Sequence, residues 1–312
     1  MDMVDMQETR DTRRFLVRFW GVRGSYPTPG AHTVRHGGNT SCIEVQAGAH
    51  TLILDGGSGI VRLGEDLLER ARGEELCVSI LITHAHGDHL IGIPFFAPLF
   101  DKRADIAFFG PSLAGRNIKQ IVTPIMAPPY FPVDMRKLPS RRTFHTIHEE
   151  QYIIWPHGDG SRPVIVTDAA KLKDAELCVS ARFTQSHPLN GSILYRVEYA
   201  GRCLVYATDV EWSEQIEPAF LEFAHGADLL IHDAQYTVED YRQAKHGFGH
   251  STIAMATSAA IAANVQKLVL FHHEPTYDDA KLDAMEAEAR KHFARTYSAC
   301  EGMEIDLLAP TH

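Results

Sequence analysis

Leu81-Ile82-Thr83-His84-Ala85-His86-Gly87-Asp88-His89 decides how this chain is to be read. An apolar strand stops abruptly, and four metal-ligand side chains, His84, His86, Asp88 and His89, follow at once. Alternate residues of an extended chain share a face, so His84 and His86 project to one side. Asp88 and His89 fall where a new helix would begin, with Gly87 easing the turn. Two ligand pairs, close together and offset, suit two adjacent cations better than one. Imidazole and carboxylate without thiolate suit Zn, Fe or Mn in a catalytic site that keeps a position open for water. The bland alternative, surface or helix-cap histidines, fits a lone histidine better than an HxHxDH cluster closing a strand.

Outward from this segment, β-type runs recur at 15–20, 41–46, 51–55, 77–83 and 106–109, then at 177–183, 193–199, 203–208, 229–233, 267–271 and 303–307. Many are bounded by Gly, Asp or Asn, as strand ends should be. Helical patterns lie at 60–72, 113–125, 252–263 and 278–298. Hairpin-like turns join the early strands and helices separate the later ones, which predicts sheets covered by helices rather than one doubly wound parallel sheet. Residues 127–174 mix Pro-rich and charge-rich pieces and are expected to form an insertion or lid.

The 312 residues are 45% apolar and 22% charged, a globular composition with ample length for a deep core. Thirty basic against 40 acidic side chains leave a net charge of −10. A broad nucleic-acid footprint needs the opposite excess, although a small anion pocket is compatible with this balance. The longest apolar stretch, 90–100, is broken by Gly92, Pro94 and Pro98 and is too short to span a bilayer. Residues 1–14 alternate acids and bases around no apolar segment, so the expectation is a loose polar leader rather than a secretory signal. Residues 15–312 are expected to form a single domain. Cys42, Cys77, Cys178, Cys203 and Cys300 are dispersed and contain no CxxC. That disfavours a disulfide framework or a cysteine zinc knuckle and predicts a reducing, cytoplasmic setting.

The HxHxDH segment resembles the hallmark of the metallo-β-lactamase-fold hydrolases, and the likeness continues in order along the chain. Asp55 follows Thr51-Leu52-Ile53-Leu54 and precedes Gly56-Gly57, like the family's early aspartate that braces the metal loop. His187 follows Phe183-Thr184-Gln185-Ser186, Asp209 follows Leu204-Val205-Tyr206-Ala207-Thr208, and His272 follows Leu268-Val269-Leu270-Phe271. The resemblance implies an α/β (α+β) fold, a four-layer αββα sandwich. It implies one cation on His84, His86 and His187, another on Asp88, His89 and His272, and Asp209 bridging them. Two divalent ions are expected, zinc first, with Mn or Fe as alternatives. His273 adjoins His272 as an alternative last ligand, but Phe271-His272 matches the family's strand-end histidine better.

Two further segments are similar to the phosphodiesterase branch, which includes tRNA 3′-processing ribonucleases and cyclic-nucleotide phosphodiesterases. His250-Ser251-Thr252 opens a helix capped by Ser251 or Thr252. Asp233 closes Leu229-Leu230-Ile231-His232. In that branch such a histidine pairs with a strand-end acid, which implies Asp233 orienting His250 as proton donor to a leaving alkoxide. His250, Asp233 and Asp88 are accordingly the candidate catalytic residues; the plainer reading leaves His250 at a helix start and Asp233 at a strand end. The run from Trp20 through Val22-Arg23-Gly24-Ser25 to Gly30, with His36-Gly37-Gly38-Asn39-Thr40, is also branch-like. Its glycines permit close backbone approach to a ligand. Arg23 offers a guanidinium fork to a phosphate, or else a surface salt bridge. Arg23, Asn39 and Ser192 are the candidate substrate contacts.

Arg136, Lys137, Arg141 and Arg142 read as a solvated face rather than a nucleic-acid grip. His145, His148 and His157 lack strand-end context and read as structural. The resulting expectation is a dinuclear phosphodiesterase acting on a small phosphodiester or cyclic nucleotide through a hydroxide formed between the cations. The chain is acidic and lacks a long Gly/Pro-rich arm to clasp a tRNA elbow, so extended nucleic-acid binding is not expected. The alternatives are a carbon-centred hydrolase of a lactone, thioester or β-lactam, a nuclease on short RNA or DNA, and a metal-dependent sensor module. A homodimer is common among similar proteins, and no residue pattern here demonstrates one.

Overall fold

The computed structural model describes residues 14–158, 162–212 and 215–309. Its strands are β1 (Phe15–Gly21), β2 (Cys42–Ala47), β3 (His50–Leu54), β4 (Leu76–Leu81), β5 (Ala104–Gly110), β6 (Arg141–Thr146), β7 (Tyr152–Pro156) and β8 (Val164–Val166), followed by β9 (Ala175–Thr184), β10 (Ser192–Tyr199), β11 (Arg202–Ala207), β12 (Leu229–Asp233), β13 (Leu268–Phe271), β14 (Thr296–Ser298) and β15 (Glu304–Asp306). The helices are α1 (Ile60–Ala71), α2 (Ile118–Val122), α3 (Pro218–Ala224), α4 (Val238–Asp240), α5 (Ile253–Ala262) and α6 (Asp279–His292). One sheet has the order β15-β1-β2-β3-β4-β5-β6, and the other β14-β13-β12-β11-β10-β9-β7-β8.

Three apolar layers hold these sheets. Phe15, Val17, Phe19, Leu54, Tyr195, Tyr206 and Phe271 belong to the core between the sheets. Behind the first sheet, α1 buries Ile60, Leu63, Gly64 and Leu67, one face at helical spacing. Behind the second, α3, α5 and α6 supply Phe220, Ala256, Leu282 and Met285. The architecture is the expected four-layer αββα sandwich. Leu52, Ile53 and Leu54 are all fully buried because β3 is covered on both faces, which is why its run is continuously apolar.

The topology gathers one set of strand ends. β3, β4 and β5 are mutually parallel, as are β11, β12 and β13. β10 runs antiparallel to both β9 and β11, so β9 points the same way as β11. The carboxyl ends of β9, β11, β12 and β13, and the start of β10, therefore lie along one rim of their sheet.

Some boundaries differ from the sequence reading. The expected helix over 278–298 stops at His292, and Thr296–Ser298 instead becomes β14, parallel to β13. Thr and Tyr fit a pleated edge better than a helix interior. The expected helix over 113–125 starts only at Asn117, which makes a reciprocal cap with Gln120, and tightens into a 3₁₀ turn at Pro124. Residues 127–174 include β6, paired with β5, and β7 and β8, which extend the second sheet. The expected polar leader lies outside the described residues except for Arg14. Among the described residues no helix is long and apolar enough to cross a membrane.

Candidate metal centre

Three strand-end residues occupy left-handed backbone: Asp55 (φ 63°), Asp209 (φ 55°) and His272 (φ 62°). That conformation is uncommon outside glycine, and here it turns each chain sharply where a functional side chain emerges. Asp55 is fully buried and braces the HxHxDH loop. It accepts from the Thr83 amide at 2.8 Å and the Tyr206 hydroxyl at 2.9 Å, and its Oδ2 lies 2.8 Å from His89 Nδ1. The Thr83 hydroxyl sits 3.0 Å from Asp55 Oδ2 and 3.0 Å from His84 Nδ1. Both ring orientations are thus set from behind, leaving each Nε2 for the centre.

Among the described residues three groups of converging ligand atoms result, one of them Asp209 with His250 and His272, and the other two make up the expected pair of sites. In one, donor atoms of His84, His86, His187 and Asp209 all lie within 4.8 Å of one another; in the other, those of Asp88, His89 and His272 do. Asp209 faces both. Its Oδ1 is 3.5 Å from His84 Nε2 and 3.7 Å from His187 Nε2, while its Oδ2 is 3.2 Å from His89 Nε2 and 3.4 Å from His272 Nε2. His89 and His272 bring their Nε2 atoms within 3.3 Å, and His86 Nδ1 lies 3.0 Å from His187 Nε2. His84 Nε2 is buried without a hydrogen-bond partner. Converging imidazole lone pairs, one of them orphaned, together with a shared carboxylate, fit divalent cations.

The electrostatics separate the groups. Burial pushes His84 well below the ordinary histidine value, and burial also lowers His86 and His187. Burial alone would lower His272, but Asp209 and Asp88 outweigh it and lift the ring to about 9. His89 is likewise raised, burial being overcome by Asp209, Asp88 and Asp55. Burial would raise Asp88, yet His89 and His272 hold its carboxyl far below the usual range.

His250 Nδ1 lies 2.7 Å from Asp233 Oδ2, and its ring stacks on His272 with centroids 4.9 Å apart. Asp233 is fully buried and also accepts from the amides of Asp209, Gln235 and Ser251, each at 3.1 Å. His272 and its neighbour go separate ways. His273 turns from the cluster to the Ala299 carbonyl at 3.0 Å, and burial lowers it to about 3.

The three expected substrate contacts sit otherwise. Arg23 is fully buried, and its Nε donates to the Gly37 carbonyl at 2.8 Å while Nη1 donates to those of Glu274 (3.1 Å) and Tyr277 (2.7 Å). That is an internal clamp and not a fork open to phosphate. Asn39 spends its amide on Glu301 at 3.0 Å and accepts from the Ser58 hydroxyl at 2.9 Å. The buried Ser192 hydroxyl donates to the Asp209 carbonyl at 3.0 Å, which positions that aspartate rather than a ligand. Gly24 is needed where this loop passes His272, because a Cβ there would stand 2.5 Å from the imidazole.

Sequence reasoning missed several supporting residues. The Ser25 amide donates to Asp88 Oδ2 at 2.7 Å. Glu211 accepts from the amides of Gly247 (2.7 Å) and Gly249 (2.6 Å) and from the Tyr241 hydroxyl (2.6 Å). Nothing in the sequence links Glu211 to a loop so far along the chain. Tyr206 did carry a signal, since a tyrosine in a buried strand needs a partner for its hydroxyl.

The Beta-lactamase superfamily domain matches residues 50–273. The chain belongs to that superfamily. With its His/Asp cluster it is a metal-dependent hydrolase. It is 26% identical over 251 residues to the Ribonuclease Z of Thermoplasma acidophilum, covering 73% of this chain and 79% of that one. The Ribonuclease Z of Thermoplasma volcanium is 25% identical over 312 residues, covering 93% and 96%. Among solved structures, the fold is similar to the metallo-beta-lactamase fold protein YhfI from Bacillus subtilis, with TM-score 0.64 and 19% identity over 94% of this chain and 99% of that one. It is also similar to the short form of human tRNase Z, with TM-score 0.60 and 20% identity over 94% and 100%.

Proposed function

We propose that this hydrolase is a dinuclear phosphodiesterase, with zinc the first choice of metal. The observation that carries the reading is Asp209, whose two oxygens each face a separate ligand group. On this assignment His84, His86 and His187 hold one cation, Asp88, His89 and His272 the other, and Asp209 serves both. Two such ions supply an activated water and Lewis-acid neutralisation of the nonbridging phosphoryl oxygens. Asp233 accepts from His250 Nδ1 and fixes the ring, and Nε2 then gives its proton to the departing oxygen as its bond to phosphorus breaks. Both sheets contribute to this one centre, so we take the chain from residue 15 onward as a single domain.

A small nucleotide diester is the substrate we favour. The basic cluster lies, as expected, mostly on a solvated face and is paired locally: Arg136 with Asp134, Arg141 with Glu75 and Asp105, while half-buried Arg142 donates to the Ser140 and Leu138 carbonyls. Such exposed pairs exchange partners at little cost, so the preference rests on the net charge of −10, which disfavours a long polyanion. The Ribonuclease Z relatives favour a second reading, cleavage of RNA, which shares the phosphodiester chemistry.

Metal-replete protein should hydrolyse bis(p-nitrophenyl) phosphate well above the matching monoester and stop on chelation. His250→Ala should slow cleavage of a diester with an alkyl leaving group about 10²- to 10⁴-fold while retaining both metals. Equal loss of metal and turnover would make His250 a ligand or structural residue. Turnover of lactones or thioesters with none of phosphodiesters would sink the reading. Faster cleavage of a tRNA precursor than of any small diester would establish the second reading.

A further inference from the structure

Phe248 is an aromatic side chain left 55% exposed by a loop that is pinned in place. It stands two residues before His250, between Gly247 and Gly249. The Glu211 carboxylate accepts from both glycine amides, and the Gly249 carbonyl lies 2.9 Å from His187 Nδ1. Gly249 (φ +89°) allows no side chain, since a Cβ would stand 2.1 Å from Pro188 and 2.4 Å from His187. The ring is therefore presented to solvent from a segment locked against the metal centre.

Lys245 completes the feature. It ends a π-helical turn, Tyr241–Lys245, an irregularity common at functional sites. Its ammonium lies 5.6 Å from the Phe248 ring centroid, 5.3 Å from that of Tyr236 and 3.9 Å from Glu274 Oε2. Tyr236 in turn meets the His250 ring edge-on at 5.9 Å. A cleft of roughly 200 Å³ opens beside Lys245, lined also by Glu274, Tyr277 and Asp240 among others. Other large apolar side chains stay exposed close in sequence to site residues: Tyr26 (53%) next to Ser25, and Leu189 (93%) two residues after His187.

We propose that Phe248 and Lys245 form the subsite for the nucleoside part of the substrate, Phe248 stacking on the base and Lys245 meeting an acceptor on it. The proposal rests on the phosphodiesterase reading above and names its substrate class. A flat exposed ring suits a planar heterocycle, because every base offers a π face. Lys245 offers a donor that suits an acceptor on a base edge, while buried Glu274, accepting from Gln235 and Thr276, holds the ammonium in place. A bare alkyl chain would leave that donor unused.

The test compares two diesters with the same leaving group, thymidine 5′-(p-nitrophenyl) phosphate and methyl p-nitrophenyl phosphate, on the metal-replete protein. The wild type should prefer the nucleoside ester through KM. Phe248→Ala should lower the ratio of kcat/KM for the nucleoside ester to that for the methyl ester by about tenfold, with the change in KM. Phe248→Trp should retain the ratio, and Lys245→Met should lower it by a smaller factor. No nucleoside preference in the wild type, or an equal fall on both esters in Phe248→Ala, overturns the subsite. Failure to turn over either ester instead overturns the phosphodiesterase reading and the subsite with it.

Discussion

The two ligand groups lie side by side around Asp209, yet they are built on opposite principles. Desolvation lowers His84, His86 and His187, the first and last of them buried and His86 the exposed member. Asp88, His89 and His272 are all buried, and there the carboxylates of Asp88 and Asp209 hold protons on the imidazoles. In the first group His86 and His187 meet each other and His84 Nε2 has no partner, while the second group neutralises itself as internal ion pairs. A cation entering the second group must therefore displace protons; one entering the first need not.

Removing the shared residue should erase the difference. Asp209→Ala is expected to cost on the order of 10³-fold in kcat/KM, beyond the 10- to 100-fold typical of outer-shell changes, and to weaken both cations. A metal titration still showing two tight sites would refute the bridging assignment. Next in size is a pair of single-ligand variants. His86→Ala and His272→Ala should each leave one tight cation, but only His272→Ala should destabilise the metal-free protein, by about 3 kcal/mol, because buried carboxylates lose their counter-charge. Equal melting temperatures for the two metal-free variants would break the comparison.

The pH dependence sharpens it. Burial is outweighed by Asp209 and Asp88, which lift His272 to about 9 in the fold, above the ordinary histidine value of roughly 6.5. A raised value stabilises the metal-free fold fully below about pH 6.5, and this contribution is lost as pH rises through 9. His84 is lowered, so its sign is opposite: its neutral form supports the fold above pH 6.5, and that support fades as pH falls. Calorimetric titration in buffers of different ionisation enthalpy at pH 7.5 should find proton release on filling the second site only. Equal release from both would contradict the charge assignment. The smallest expected effect concerns Arg23, whose loop places the Ser25 amide on Asp88. Arg23→Met should destabilise the protein by about 2 kcal/mol, since buried carbonyls lose their donors, and should weaken the second cation more than the first. A KM increase with unchanged stability would restore Arg23 as a substrate contact.

Legibility in the sequence followed proximity to strand ends. The HxHxDH segment could be read from its own spacing, and Asp55, His187, Asp209, Asp233 and His272 were marked by the family resemblance, each at or just beyond a strand end. Arg23, Asn39 and Ser192 could not be read that way. Each is polar, near glycines and in a plausible place, and only their internal partners, carbonyls for Arg23 and Ser192 and Glu301 with Ser58 for Asn39, distinguish them from substrate contacts. β6, β7 and β8 were equally obscure, because edge strands such as Arg141–Thr146 carry charged and half-buried residues that mute the alternation.

By itself the sequence determined the chemistry on offer: histidines and carboxylates without thiolates, in a fixed order, at the ends of apolar strands. Local spacing suffices for the HxHxDH cluster, and the resemblance to the family supplies the order of the rest. Tertiary structure decided the rest. Parallel strands of the second sheet brought His187, Asp209 and His272 to the loop that follows β4, and left-handed turns aimed the last two inward. It also decided which histidines stay neutral, that His272 and not His273 enters the cluster, and that Phe248 faces solvent beside His250. Those outcomes depend on burial and on the charges packed around each group, which contacts between distant segments create.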